Sequence, residues 1–172
     1  MFIAATAVTA ALSTPASTAT LELDRYDVNG IAFTYPDRWF VTTRPLSNGV
    51  NPKYRFTLST VSVRRTARDL GPCLPGIAKL VPKTGVLAYL REALGADRAR
   101  SISRMQPRPG RFRLPTRADT ALCGFGHGGR WIPFREAGRA FYLGLYVGPR
   151  AAPSTRRMLE RSLRSMEIEP AK

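Results

Sequence analysis

The sequence predicts an α+β fold in which antiparallel strands joined by tight turns pack with two helices. Three observations predict it. Asn29-Gly30 separates two short β-prone runs, a strong short-range hairpin signal. Residues 54–63, apart from Val61 and Val63, which fall out of phase, and residues 139–147 distribute their side chains with the two-residue period of a strand. Residues 85–94 and 155–165 place apolar side chains at helical spacing. The chain has 172 residues, enough for one domain that buries about two thirds of the surface its unfolded form exposes. No repeat divides it, so residues 20–172 read as a single domain after a distinct segment at 1–19.

In chain order, residues 21–28 form a short strand and 31–35 its hairpin partner. Pro36-Asp37-Arg38 makes a corner, after which Trp39-Phe40-Val41 resumes extended chain, with Trp39 as a core anchor. Residues 44–53 are a loop. In the strand 54–63, Tyr54, Phe56 and Leu58 share one face and Arg55, Thr57 and Ser59 the other. Residues 71–82 are broken by glycines and prolines. Thr84 then caps a helix over 85–94, whose stripe is Val86, Leu87, Leu90, Ala93 and Leu94, with Gly95 as its stop. Pro107, Pro109 and Pro115 make 98–117 a basic loop with short extended pieces.

Residues 119–126 read as a strand leading to a Gly-rich turn, and 130–135 as the returning strand, where Pro133 prefers an edge or a bulge. After the turn Glu136-Ala137-Gly138 comes the strand 139–147. Phe141, Leu143, Leu145 and Val147 share one of its faces, and Ala140, Tyr142, Gly144 and Tyr146 the other. Ser154 is the expected cap of a helix over about 155–165, with Met158, Leu159, Ser162, Leu163 and Met166 as its apolar flank. Residues 166–168 begin a short last strand.

Charge is the most unusual property. Lys+Arg is 27 against 12 Asp+Glu, a formal net charge of +15 with a pI near 11.1. Only Lys53, Lys79, Lys83 and Lys172 are lysines, and the remaining basic residues are arginines. Such a bias arises from genome composition or from selection for anion contacts, since the planar guanidinium suits phosphate and carboxylate. Arg98, Arg100, Arg104, Arg108, Arg111, Arg113 and Arg117 fall in a stretch without an acidic residue and are the polyanion-binding candidates. Phe112 between two of them is placed to stack on a base or sugar. The competing reading is a solvated basic loop. No helix-turn-helix, zinc-finger or RNA-binding sheet motif accompanies the run.

Residues 1–19 are uncharged, mostly apolar over 2–12, and end in Ser17-Thr18-Ala19. They read as the apolar part and cleavage end of a secretory signal, although a basic n-region is missing. The segment is short for a membrane span. The expected location is therefore secreted or cell-envelope, which disfavours nucleic acid as the natural partner. In an exported chain Cys73 and Cys123 have one possible intramolecular pairing, a disulfide, with two buried free thiols as the alternative.

Gly124-Phe125-Gly126-His127-Gly128-Gly129 matches G-x-G-x-x-G. Extended residues and a proline follow it, so a hairpin turn is the reading rather than a dinucleotide fingerprint. Cys123 with His127, the single histidine, leaves a small thiol hydrolase as an alternative. The spacing of cysteines and histidine fits no metal site, and no catalytic residues and no cofactor are assigned.

Three features together resemble the PsbP-like fold. They are Tyr35-Pro36-x-x-Trp39 after a strand, the long strand 139–147 before a Pro/Ser/Thr loop, and a terminal helix ending Arg161-Ser162-Leu163-Arg164-Ser165-Met166. That group holds extrinsic photosystem subunits and small envelope proteins such as LpqN-type lipoproteins, and the resemblance spans roughly residues 22–168. It implies an α/β/α sandwich with a central antiparallel sheet and a binding or accessory role. The chain lacks the lipidation cysteine of the lipoprotein members, and the group has no shared catalytic set to carry over. The expectation is an exported, non-enzymatic binding or accessory protein of the bacterial cell envelope, its partner an acidic envelope polymer or an envelope protein.

Overall fold

The computed structural model describes residues 22–46, 51–63, 81–115 and 129–171. The hairpin of β1 (Leu23–Val28) and β2 (Ile31–Pro36) turns through Asn29-Gly30, with φ of 56° and 67°. Both angles lie in the left-handed region, as a two-residue turn matched to strand twist requires. The short β8 (Glu167–Ile168) pairs with the free edge of β2, giving a three-stranded sheet in the order β1-β2-β8. β3 (Phe40–Thr42), β4 (Lys53–Ser59), β5 (Val86–Ala93), β6 (Gly129–Glu136) and β7 (Arg139–Val147) build the main antiparallel sheet. Its order is β3-β4-β5-β7-β6, so β6, with Pro133, lies at an edge as expected.

α1 (Ala96–Arg104) and α2 (Pro153–Arg164) cover opposite faces of the main sheet. The architecture is α+β, with the antiparallel sheet flanked by helices. The N-terminal hairpin belongs to a second sheet that packs beside α2, where Phe33 and Phe56 bring their rings to 4.6 Å. One face of the main sheet, through Phe56, Leu90, Phe141 and Leu143, meets Ile31 and Phe33 of the small sheet and Leu159 and Leu163 of α2. Each fully buried side chain of this size stabilises by roughly 1.5–3 kcal/mol relative to exposure.

Three expectations are corrected. Residues 85–94 are not a helix but β5, the central strand, paired on both edges. A strand buried on both faces reads as a continuous apolar run, and that run also satisfies helical spacing. Gly95 accordingly does not end a helix; with φ of 56° it precedes α1. The stretch 98–117 is not loop throughout, because α1 reaches Arg104 and the prolines all lie beyond it, where they bound the helix instead of preventing it. In α2, Pro153 opens the helix and Ala152 is the cap residue, without a side-chain bond from Ser154.

The face assignment in β4 also changes. Tyr54 opposes Arg91 and Phe56 opposes Leu90, leaving Arg55 as the extra residue of a bulge. The bulge turns Tyr54 to the other face, among Leu87, Tyr89 and Tyr146, and leaves Phe56 and Leu58 in the main core. The Tyr26 hydroxyl donates to the Arg55 carbonyl at 2.9 Å. Along β7 the expected alternation holds, and both faces are covered. Tyr89 stands opposite Gly144, where a Cβ would fall inside the Tyr89 ring, so glycine is what admits the aromatic.

Candidate functional site

The arginines expected to act together are divided by the fold. α1 follows the N-cap Gly95, carries Asp97 in its first turn and Arg104 in its last, and so complements its own dipole. Arg100 bonds Asp97 at 3.1 Å in an exposed pair, a contact of little energetic weight. Arg104 is exposed and Arg98 half-buried, and neither makes an ion pair among the described residues. Arg100 and Arg104, one turn apart, line a cleft of about 400 Å³ with Tyr142, Pro133 and Ser101. The hydroxyls of Ser101 and Tyr142 lie 3.2 Å apart at its wall.

Past α1 the chain runs along the β6 edge. The Arg135 N–H donates to the Gln106 carbonyl at 2.9 Å, and the Arg108 N–H to the Arg135 carbonyl at 3.0 Å. Arg108 then turns inward. Its Nη1 donates to the Met166 carbonyl at 2.6 Å and to Glu136 at 3.0 Å, and its Nη2 reaches the carbonyls of Leu163 and Arg164 at 3.4 and 3.3 Å. The Leu163 and Arg164 carbonyls end α2 and lack intrahelical partners, and Met166 follows directly after the C-cap Ser165, so Arg108 closes the helix.

Phe112 is buried, with its ring edge-on to Phe134 at 5.7 Å. It belongs to the core, which corrects the expectation of a stacking platform. Arg111 bonds Glu160 at 2.8 Å, and Arg113 is exposed beside it. Arg117 lies outside the described residues. One group of arginines thus sits on α1 and the other against α2, on opposite faces of the main sheet.

A third cluster was not anticipated. Glu92 near the end of β5 is buried, and both its oxygens are taken. Arg139 Nε donates to Oε1 at 2.9 Å and Nη2 to Oε2 at 2.7 Å, while Arg55 Nε donates to Oε2 at 2.6 Å. Arg139 Nη1 further donates to the carbonyls of Gly30 and Glu169 at 3.2 and 3.1 Å. Burial alone would raise the Glu92 carboxyl, but the bonds and charge of Arg139 and then Arg55 outweigh it and hold the group below the usual carboxylate range. The cluster floors a cleft of about 360 Å³ that Arg98 also lines. The bulge at Arg55 is what aims its guanidinium at Glu92. The signal available in the sequence was an acid inside an apolar run, Glu92 between Leu90 and Leu94.

The chain is similar in structure to a cyanobacterial PsbP. The match is to the solution structure of PsbP (CyanoP) from Synechocystis sp. PCC 6803, at 12% sequence identity and a TM-score of 0.42. It covers 91% of this chain and 98% of that one. No protein-family model and no curated protein matches the sequence.

The remaining sequence candidates fall elsewhere. Cys73, Cys123, His127 and the segment 1–19 lie outside the described residues. Gly129, the last glycine of the G-x-G-x-x-G match, opens the strand β6, whereas a dinucleotide fingerprint opens a helix there. Among the described residues no group of three or more His, Cys, Asp or Glu side chains is placed to hold a metal, and no helix is long and apolar enough to cross a membrane.

Proposed function

We propose that this is a non-enzymatic binding or accessory protein of the cell envelope that docks an acidic polymer on its exposed arginines. The observation that carries the reading is α1, where Arg100 and Arg104 stand exposed with Asp97 as the only acidic residue of the helix. Arg111 and Arg113 add a second basic patch near α2. The net charge of +15 supplies the long-range attraction, and the uncharged, apolar residues 2–12 support export. A disulfide between Cys73 and Cys123 fits that compartment.

The test is binding to heparin and to single-stranded DNA across a salt series. Wild type is compared with a variant carrying Arg100→Gln, Arg104→Gln, Arg111→Gln and Arg113→Gln. Arg108 is retained, because it closes α2. Wild-type affinity falls steeply with salt. The variant binds at least about tenfold more weakly, and on a single strand its slope is shallower by roughly 0.7 for each phosphate it no longer neutralises. Equal affinities and slopes in the two proteins reject the reading, and a clear preference for one DNA sequence replaces it with nucleic-acid recognition.

A further inference from the structure

The buried Arg55–Glu92–Arg139 cluster holds two guanidinium groups against one carboxylate. Arg139 is the saturated member, with Nε and Nη2 on Glu92 and Nη1 on two backbone carbonyls. Arg55 is not. It meets Glu92 through Nε alone, its side chain is only 12% exposed, and its two Nη atoms have no hydrogen-bond partner among the described residues. Neither Nη is among the buried polar atoms left without a partner, so the fork is open to solvent and free to donate into the cleft it lines. The cleft above it, about 360 Å³, falls within the range of small-ligand sites. Arg98 of α1 and Asn29 of the first hairpin turn also line it. The acids of the lining are Glu92, whose oxygens are occupied, and Glu169, which is exposed.

We infer that this cleft is a binding site for a small oxyanion, a carboxylate or phosphate group held by the Nη fork of Arg55 with Arg98 as the second cation. The fork matches two oxygens of either group, and the bound anion neutralises the excess positive charge of the cluster. Arg139 and Glu92 hold the fork in place and do not touch the ligand. The site is separate from the polyanion surface. That reading depends on Arg100, Arg104, Arg111 and Arg113, and either proposal can fail without the other.

The experiment is an amide NMR titration of the folded protein with acetate, citrate and inorganic phosphate in turn, following Gly30, Leu94 and Ala171. Saturable shifts at these amides are expected with citrate or phosphate, and the comparison with acetate tells which oxyanion the fork prefers. Arg98→Gln weakens binding about tenfold, the effect of removing one charge-assisted bond. Arg100→Gln with Arg104→Gln leaves it unchanged. Arg55→Lys keeps the charge and loses the fork, and in the folded variant it weakens binding at least as much as Arg98→Gln. Shifts that never saturate overturn the inference. So does wild-type binding in Arg98→Gln, which decides the matter if Arg55→Lys does not fold. Equal weakening by the Arg100/Arg104 variant also overturns it, since that outcome reports general charge and not a site.

Discussion

Replacing Glu92 by Gln removes one negative charge from beneath two buried guanidinium groups. Glu92 and Arg139 have side chains 2% and 4% exposed, so water cannot stand in for the carboxylate. Three charge-assisted bonds end on that group. The amide keeps one acceptor and presents an NH2 where Oε2 stood, so two of the three bonds break. At about 1.5–3 kcal/mol for each bond to a charged group, the cost is about 3–6 kcal/mol. Breaking one side of a buried pair costs about 3–5 kcal/mol in general, so the two figures converge near 4 kcal/mol. For a domain of this size that is a fall in melting temperature of about 8–16 °C. Urea denaturation followed by the fluorescence of Trp39 and Trp131 measures it. The pH dependence gives a second, signed check. The folded carboxyl lies below its unfolded value of about 4.3. The stability it contributes is therefore complete above that value and is lost as pH falls through the lower folded one. Wild type and variant should differ fully at neutral pH and converge in acid. A variant within about 1 kcal/mol of wild type, or a difference that does not shrink in acid, refutes the reasoning.

The parts of the fold that were legible in the sequence are those where one local signal has one structural solution. Asn29-Gly30 and Ala137-Gly138 supply two positive φ angles each, and both hairpins form there. β7 was readable because its two faces carry different side chains, and α2 because Leu159, Ser162 and Leu163 lie on one stripe. β5 failed for the opposite reason. Val86, Leu87, Ala88, Tyr89 and Leu90 are all buried, so no face is polar and the period vanishes. The bulge at Arg55 was invisible because an extra residue has no local signature without its partner strand.

The same distinction governs the site. That arginines cluster over 98–113 is local information, but what each one does depends on distant chain. Arg108 is committed to carbonyls more than fifty residues away and Arg98 to a cleft whose floor comes from β4, β5 and β7, whereas Arg111 pairs with Glu160 and still stands exposed. Counting charges along the sequence treats all of them alike, whereas the fold sorts them into structural and available groups. Glu92 was missed because it read as a polar position of a helix over 85–94, and Arg139 because it looked like the polar end of its own strand.

Packing and charge each give a further test of that sorting. Gly144→Ala drives a methyl into the ring of Tyr89, which is fully buried on the central strand, so the cost is about 3 kcal/mol, the upper end of overpacking; a melting temperature equal to wild type would show that the ring has room. Arg108→Gln separates a structural arginine from a binding one. Its guanidinium makes a short bond to the Met166 carbonyl, an ion pair with Glu136 and two weaker contacts to the end of α2. Counting the first two at the lower end for a charged donor gives a destabilisation of about 3 kcal/mol. The same substitution leaves the heparin affinity of the folded protein nearly unchanged, because that fork already faces the protein. Arg113→Gln does the reverse: it weakens heparin binding and leaves stability within about 0.5 kcal/mol, as exposed substitutions do. Parallel melting curves and salt titrations on the two variants measure both quantities. If Arg108→Gln instead lowers affinity while the melting curve stays put, Arg108 belongs to the binding surface and its part in closing α2 is wrongly assigned.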